Sequence, residues 1–170
     1  MKCWLWMMFV VAGFSSCTLS GQNGSFTNSS IQIVDMGKFK GLRIIEIASL
    51  NYPEKTAQTQ SSQVFTDIDK DNFGESLIQS LKRADVSVLP SAQTKIRIDF
   101  TRLVMPEDEN GTTMTMTADV AVSRNGIVTR KTIEISSKAK LTLGRTKDNA
   151  VKIFLQELGE LLREQSSFKR

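Results

Sequence analysis

The side chains that could do chemistry in this chain are acids, lysines and two cysteines, because the 170 residues contain no histidine. The absence of histidine excludes a Ser-His-Asp or Cys-His catalytic apparatus, and a zinc site would need carboxylates alone, which is uncommon. A hydrolase that uses two carboxylates stays open, although no pair of acids is marked by its surroundings. We therefore expect a protein that is not an enzyme and that has no catalytic residue, no metal and no cofactor.

A run of acids at residues 67–75, DIDKDNFGE, has the alternating carboxylates that a calcium loop uses. Such a loop needs glycine at its sixth position and an acid at its twelfth. Asn72 and Ile78 occupy those positions. The acids are better explained as the cap and first turn of a helix, with Asp71 or Asn72 as the N-terminal cap.

Cys17 lies where an apolar run meets a stretch rich in serine, glycine and asparagine. The apolar residues 3–13 follow one lysine and are too few to span a bilayer, which takes about 20, so they indicate a secretory signal. Phe14-Ser15-Ser16-Cys17 resembles a bacterial lipobox. The resemblance implies that residues 1–16 are removed as a lipoprotein signal peptide and that lipid is attached to Cys17. Thr18 in place of aspartate implies the outer membrane, at its periplasmic face, whereas the alternatives are an ordinary secretory signal or a fortuitous apolar N-terminus.

Removal of residues 1–16 would leave 154 residues, the size of one domain and a tether. Residues 17–30 have almost no apolar content and are expected to form the lipidated cysteine and a flexible tether of about 20 Å. Residues 31–170 are expected to form a single periplasmic α+β domain. This mature chain would keep one cysteine, so it could form no internal disulfide.

Hydrophobic periodicity predicts two amphipathic helices and several strands. The helices are expected over Asn72–Ala84 and Asp148–Arg163, and the strands over Ile31–Met36, Leu42–Ile47, Lys95–Leu103, Thr112–Ser123 and from Ile127 to Leu143 with a kink near Ser136-Ser137. Each strand is apolar on one side, which the helices should cover. The predicted fold class is α+β: an antiparallel sheet of about four strands with two helices packed on one face, as a two-layer sandwich.

Asn125-Gly126 predicts a type I′ hairpin turn, because both turn positions need positive φ. Pairing Arg124 with Ile127 across this turn brings the apolar faces of the two strands together. In that register Ala118 lies opposite Ile133 and Met116 opposite Ile135. One buried layer should combine residues of the hairpin and of the last helix: Val120, Ile133, Phe154 and Leu158.

Seven residues from 124 to 147 are basic and one, Glu134, is acidic. Strand parity places Arg130, Lys138 and Lys140 on the polar face, which is a candidate face for an anionic partner such as lipopolysaccharide, lipid phosphates or an acidic protein. The alternative is a solvated strand whose charges deter edge-to-edge aggregation. Tyr52 marks a long polar connection that is a candidate partner loop. No interleaved aromatic residues support nucleic-acid binding.

Segments spread over most of the mature chain resemble small outer-membrane lipoproteins of Gram-negative bacteria: LIQSLKRADVSV, TKIRIDFTRL and ADVAVSRNG. The similarity is to the lipopolysaccharide-assembly lipoprotein and to YajG-type lipoproteins, and it is one of pattern, so no functional residue transfers. It implies a non-enzymatic, membrane-anchored envelope lipoprotein with a scaffolding or partner-binding role in outer-membrane assembly or transport. Its partners would be the membrane, through the lipid anchor, and an envelope protein, with lipopolysaccharide or lipid as a further candidate.

Three alternatives remain from the sequence. An auxiliary lipoprotein of a lipid-transporting ABC system should show an apolar groove. A regulator of peptidoglycan synthesis should reach through the cell wall, for which the tether looks short. A carboxylate hydrolase should bring two acids together in a cleft.

Overall fold

The computed structural model describes residues 28–53, 65–105, 107–108, 111–139 and 143–167. The predicted signal peptide, Cys17, most of the tether and Lys140 lie outside these residues. In chain order the elements are β1 (Ile44–Asn51), α1 (Asp67–Arg83), β2 (Ser87–Val88), β3 (Thr94–Val104), β4 (Glu107–Asp108), β5 (Gly111–Arg124), β6 (Ile127–Ala139) and α2 (Leu143–Ser167). The predicted α+β class is confirmed.

The sheet is mixed, and its strands lie in the order β2-β1-β3-β5-β6. β4 continues β3 along the same side of β5, because Val104 pairs with Thr115 and Glu107 pairs with Thr112 without a change of register. The sheet is therefore five strands wide. β1 runs parallel to both β2 and β3, and the other pairs are antiparallel.

This topology corrects the expectation of a purely antiparallel sheet of about four strands. The short β2 was not predicted, and α1 forms the crossover between β1 and β2. A helical crossover returns the chain to the end of the sheet where the first strand began, so the next strand runs parallel to it.

The hairpin of β5 and β6 has the predicted register. Arg124 pairs with Ile127, Ala118 with Ile133 and Met116 with Ile135. Asn125 and Gly126 have φ of 51° and 80°, as the predicted turn requires. The pairing continues without a shift through Ser136-Ser137, where a kink was expected.

Two element boundaries differ from the prediction because period-two alternation also fits the start of a helix. β6 ends at Ala139, and α2 begins at Leu143 rather than at Asp148. α1 begins at Asp67, so neither Asp71 nor Asn72 is its cap. Thr66 is the cap: its Oγ1 accepts from the Asp69 amide at 3.2 Å, and the Asp69 carboxylate accepts from the Thr66 amide at 2.9 Å.

One core joins both helices to the same face of the sheet. Rings from α1, β3 and α2 meet there, with centroid distances of 5.2 Å for Phe73–Phe100, 5.6 Å for Phe73–Phe154 and 5.3 Å for Phe100–Phe154. The predicted layer of Val120, Ile133, Phe154 and Leu158 is buried as expected. The molecule is therefore a two-layer sandwich whose other sheet face is open.

Candidate functional site

Residues 28–36, which we call the strap, lie alongside α1 instead of forming the predicted strand Ile31–Met36. Side chains on one face of α1 bind the strap backbone as a neighbouring strand would. The bonds are Gln32 N–H to Ser76 Oγ (2.8 Å), Val34 N–H to Ser80 Oγ (2.9 Å) and Asn72 Nδ2–H to the Ser29 carbonyl (2.5 Å). An extended segment thus forms without a strand partner.

The strap also contacts α2. Met36 is fully buried against Gly159, where an added Cβ would lie 3.0 Å from the Met36 Cβ. Asp148 accepts from the Ser30 amide at 2.7 Å and from its hydroxyl at 2.9 Å. The folded part of the chain therefore begins at or before Asn28, and not at Ile31 as expected.

A buried ion pair fixes the start of the strap to both helices. Lys147 of α2 and Asp69 of α1 are fully buried, and their Nζ and Oδ2 atoms are 2.7 Å apart. Asp69 also accepts from the Ser29 amide at 2.5 Å. Burial alone would raise the pKa of the Asp69 carboxyl, but the hydrogen bonds from the lysine and from backbone amides outweigh it and lower that pKa.

The acid run of the calcium hypothesis is used in these contacts. Asp69 binds Lys147, and Asp67 lies 2.8 Å from the Nζ of Lys70. Within the described ranges, no three metal-ligating side chains are grouped closely enough to hold an ion.

The two ends of the molecule differ. We call the end where the strap begins the strap end, and the end with the β5–β6 turn and the starts of β1 and β3 the hairpin end. Four large apolar side chains at the hairpin end are exposed: Ile44 by 48%, Leu89 by 49%, Ile127 by 72% and Val128 by 53%. Such a group is larger than the isolated exposed apolar residues that soluble proteins commonly carry.

A hollow of about 460–590 Å³ class size, as found in many binding sites, opens beside these residues: it measures 590 Å³ and is lined by residues 41–44, 89–94 and 124–125. Arg124 closes one side, because its guanidinium donates to the Gly41 carbonyl at 3.1 Å and to the Gln165 carbonyl at 3.4 Å. Lys40 and Arg43 are exposed nearby in the chain. The hairpin end thus combines exposed apolar side chains with basic ones.

The open sheet face carries a second hollow, of about 460 Å³, around Ala121. Ala121 pairs with Arg97 on one side and with Arg130 on the other. In the next row Asp99 pairs with Asp119, which pairs with Thr132. The small alanine leaves space between the two arginines, and the acids line one wall of that space.

The two acids of this hollow already have hydrogen-bond donors. Asp99 accepts from Asn51 Nδ2 at 2.5 Å and from Arg97 Nε at 2.8 Å, and Asp119 accepts from the Thr132 hydroxyl at 2.6 Å. The sequence did not single out this pair. Strand parity placed each acid on the polar face, but the register of β3 against β5, which brings them together, has no local sequence signal.

The predicted basic face is not one cluster. Arg130 and Lys138 are exposed on the open face of β6, but eight residues of strand separate them by about 27 Å. Lys140 lies outside the described residues. Arg130 instead neighbours Arg97 across Ala121.

Tyr52, the candidate partner residue, lies against the core. Its ring stacks on Phe100 at 5.2 Å with an interplanar angle of 11°, and its hydroxyl donates to the Lys70 carbonyl at 3.4 Å. Burial, with a smaller effect of Asp71, raises the pKa of the tyrosine well above its usual value. These contacts give Tyr52 a packing role at the end of β1.

No family model and no curated protein matches this sequence. Among solved structures, a DUF330-family protein from Xanthomonas campestris is similar, with a TM-score of 0.54 and 8% identity over 84% of this chain and 99% of that one. A hypothetical protein from Chlamydia trachomatis gives a TM-score of 0.52 and 10% identity over 71% of this chain and 98% of that one. A minor lipoprotein from Acinetobacter baumannii aligns with a TM-score of 0.38 and 13% identity over 74% and 93%.

The first two similarities show that the chain shares its fold with other bacterial proteins. Within the part of the chain described, no helix is long and apolar enough to cross a membrane.

Proposed function

We propose that this protein is a non-enzymatic envelope lipoprotein, anchored through Cys17 at the periplasmic face of the outer membrane. Its hairpin end binds a protein partner in outer-membrane assembly or transport. The observation that carries the proposal is the position of the exposed apolar and basic residues, at the opposite end of the molecule from the strap.

The distance between the two ends supports this orientation. Lys147 contacts Asp69 at the strap end, and Gln165 accepts from the Thr129 hydroxyl near the hairpin turn. The intervening turns of α2 span about 27 Å. A coil of the length of residues 17–27 spans about 18 Å. A domain held by Cys17 would therefore turn its hairpin end away from the anchoring membrane more often than toward it.

The chemistry of the hairpin end indicates what the partner offers. Exposed Ile44 and Leu89 would bury apolar side chains, and Arg43 and Lys40 would face acids at the rim of the contact. An apolar centre with a charged rim is the usual anatomy of a protein interface. The lipobox and the resemblance to outer-membrane lipoproteins support the same location for the complex.

The experiment places a photo-crosslinking amino acid at Leu89 in the full chain, expressed in intact cells. The control has the same amino acid at Gln156, which is exposed on α2 away from the hairpin end. We expect Leu89 to capture one defined envelope protein and Gln156 not to capture it. Equal capture from both positions would overturn the hairpin end as the site, and capture of lipopolysaccharide alone would overturn the protein partner.

The anchor is tested separately. Cys17→Ser should move the protein from the membrane fraction to the soluble periplasm and leave its thermal unfolding unchanged, because the described core lies beyond the tether. An unmodified Cys17 in the intact mass of the wild-type protein would contradict lipidation.

A carboxylate hydrolase is a second candidate, and one observation favours it: Asp99 and Asp119 face each other in a hollow. Both oxygens of Asp99 already accept hydrogen bonds, so neither is directed at a substrate. Loss of activity in a complementation assay of Asp119→Asn would favour this candidate over the proposed one.

A further inference from the structure

The two edges of the sheet differ in length. β2 forms one edge with two residues, and β6 forms the other with thirteen. Proteins protect sheet edges with short strands, bulges or proline. β2 is protected by its length, whereas β6 has neither a bulge nor a proline.

The hairpin turn determines which backbone groups of β6 face outward. Arg124 and Ile127 flank the two-residue turn and form a hydrogen-bonded pair, so the N–H and C=O groups of Ile127 point toward β5. The even-numbered residues from Val128 to Lys138 therefore direct these groups away from β5. β5 is the one strand that pairs with β6 in the described part of the chain.

We propose that β6 pairs antiparallel with β6 of a second copy of this chain, with Thr132 opposite Thr132 of the partner subunit. In this register Arg130 lies opposite Glu134 of the partner subunit, and Glu134 lies opposite the partner's Arg130. Opposite charges and threonine pairs at facing positions stabilise antiparallel strands. The product is one continuous sheet with about ten new backbone hydrogen bonds.

Charge selects this register over its neighbours. Pairing centred on residue 130, 131 or 134 would place like charges directly opposite each other, and pairing centred on Ile133 would leave Arg130 facing Ser136. Among the ion pairs of the described residues, none involves Arg130 or Glu134. Both side chains are exposed on the open face, on the other side of the sheet from α2.

Cysteine crosslinking in the full chain tests the pairing. Facing residues of a hydrogen-bonded pair have Cα atoms about 5.5 Å apart, within reach of a disulfide. Thr132→Cys should therefore give a covalent dimer on mild oxidation of intact cells. Ser136→Cys is the control, because it is exposed on the same face of β6 but would lie about 27 Å from its own counterpart. No dimer from Thr132→Cys, or equal amounts from both variants, would overturn the proposal.

A charge exchange tests the register. In the Thr132→Cys background, Arg130→Glu should reduce the dimer yield about tenfold, because each copy would then face the other with two acids. Adding Glu134→Arg should restore the yield, since the opposite charges meet again. A double variant that stays as low as Arg130→Glu alone would overturn the register. Crosslinking from Leu89, near the opposite edge, reports separately on the proposed partner.

Discussion

Replacement of Lys147 by methionine tests how the strap is held to the two helices. Methionine has a similar length and can fill the buried site, but it removes the charge that faces Asp69. The carboxylate would keep its bonds from the Ser29 and Thr66 amides and would lose the 2.7 Å contact to the lysine. The substitution therefore isolates one charge in the interior.

The expected loss is about 3–5 kcal/mol of the free energy of unfolding, the usual cost of leaving one member of a buried ion pair without its partner. A domain of this size has about 5–15 kcal/mol in total, so the variant should still fold at 25 °C with a much lower midpoint. Lys152→Met is the matched control, because Lys152 is exposed on the same helix. A surface change of this kind should stay within about 0.5 kcal/mol.

The pH dependence gives a second measurement. In the wild-type protein the pKa of Asp69 is lowered by folding. Its contribution to stability is therefore complete above about pH 5 and is lost as the pH falls from the unfolded-state pKa of about 3.9 through the lower folded-state value. In Lys147→Met the carboxyl stays buried without its cation, so its folded-state pKa should rise above 3.9, and the variant should gain stability relative to wild type as the pH falls from 7 to 4.

Urea unfolding followed by circular dichroism at several pH values measures both effects. A Lys147→Met midpoint equal to that of Lys152→Met would refute the assigned burial of the pair. A difference between wild type and variant that stays constant from pH 7 to pH 4 would refute the account of the Asp69 charge.

Three further changes test other parts of the molecule. Phe154→Ala should cost about 3–5 kcal/mol in urea unfolding, because the ring is fully buried and contacts two other aromatic rings; an unchanged midpoint would show that α2 does not pack on the sheet. Gly159→Ala should lower the midpoint by crowding Met36 at 3.0 Å, whereas Gly74→Ala, with Leu50 at 4.0 Å, should raise stability by up to about 1 kcal/mol through helix propensity. Equal effects of the two glycine variants would contradict the strap packing. Asp119→Asn should preserve complementation and stabilise slightly, since it relieves two facing acids.

Local signals in the sequence determine the parts of the fold that could be predicted. The Asn125-Gly126 turn fixes the pairing of its two strands, and their alternation fixes which face is buried. The resulting register extends from Arg124–Ile127 to Thr112–Ala139 as expected. The core position of Phe154 follows from helix period alone.

The parts that were missed depend on contacts between distant segments. The parallel position of β1 follows from the path of α1 across the sheet, which the order of elements does not reveal. Lys147 looks like a surface lysine in the sequence, and its burial depends on Asp69, 78 residues away. The polar positions Asn72, Ser76 and Ser80 recur on one face of α1, and this spacing was the one available sign that the helix binds an extended segment.

The strap and the β6 edge place different constraints on the same domain. The strap binds through side chains of α1 and α2, so a pull on the tether is opposed first by the buried pair of Asp69 and Lys147 and by the packing of Met36. The β6 edge and the hairpin end take no part in these contacts. Variants at Arg130 or Leu89 should therefore change association without changing attachment or stability, and Lys147→Met should change stability without changing which residues face a partner. A loss of partner capture in Lys147→Met at temperatures where circular dichroism shows it fully folded would show that the strap and the hairpin end are coupled.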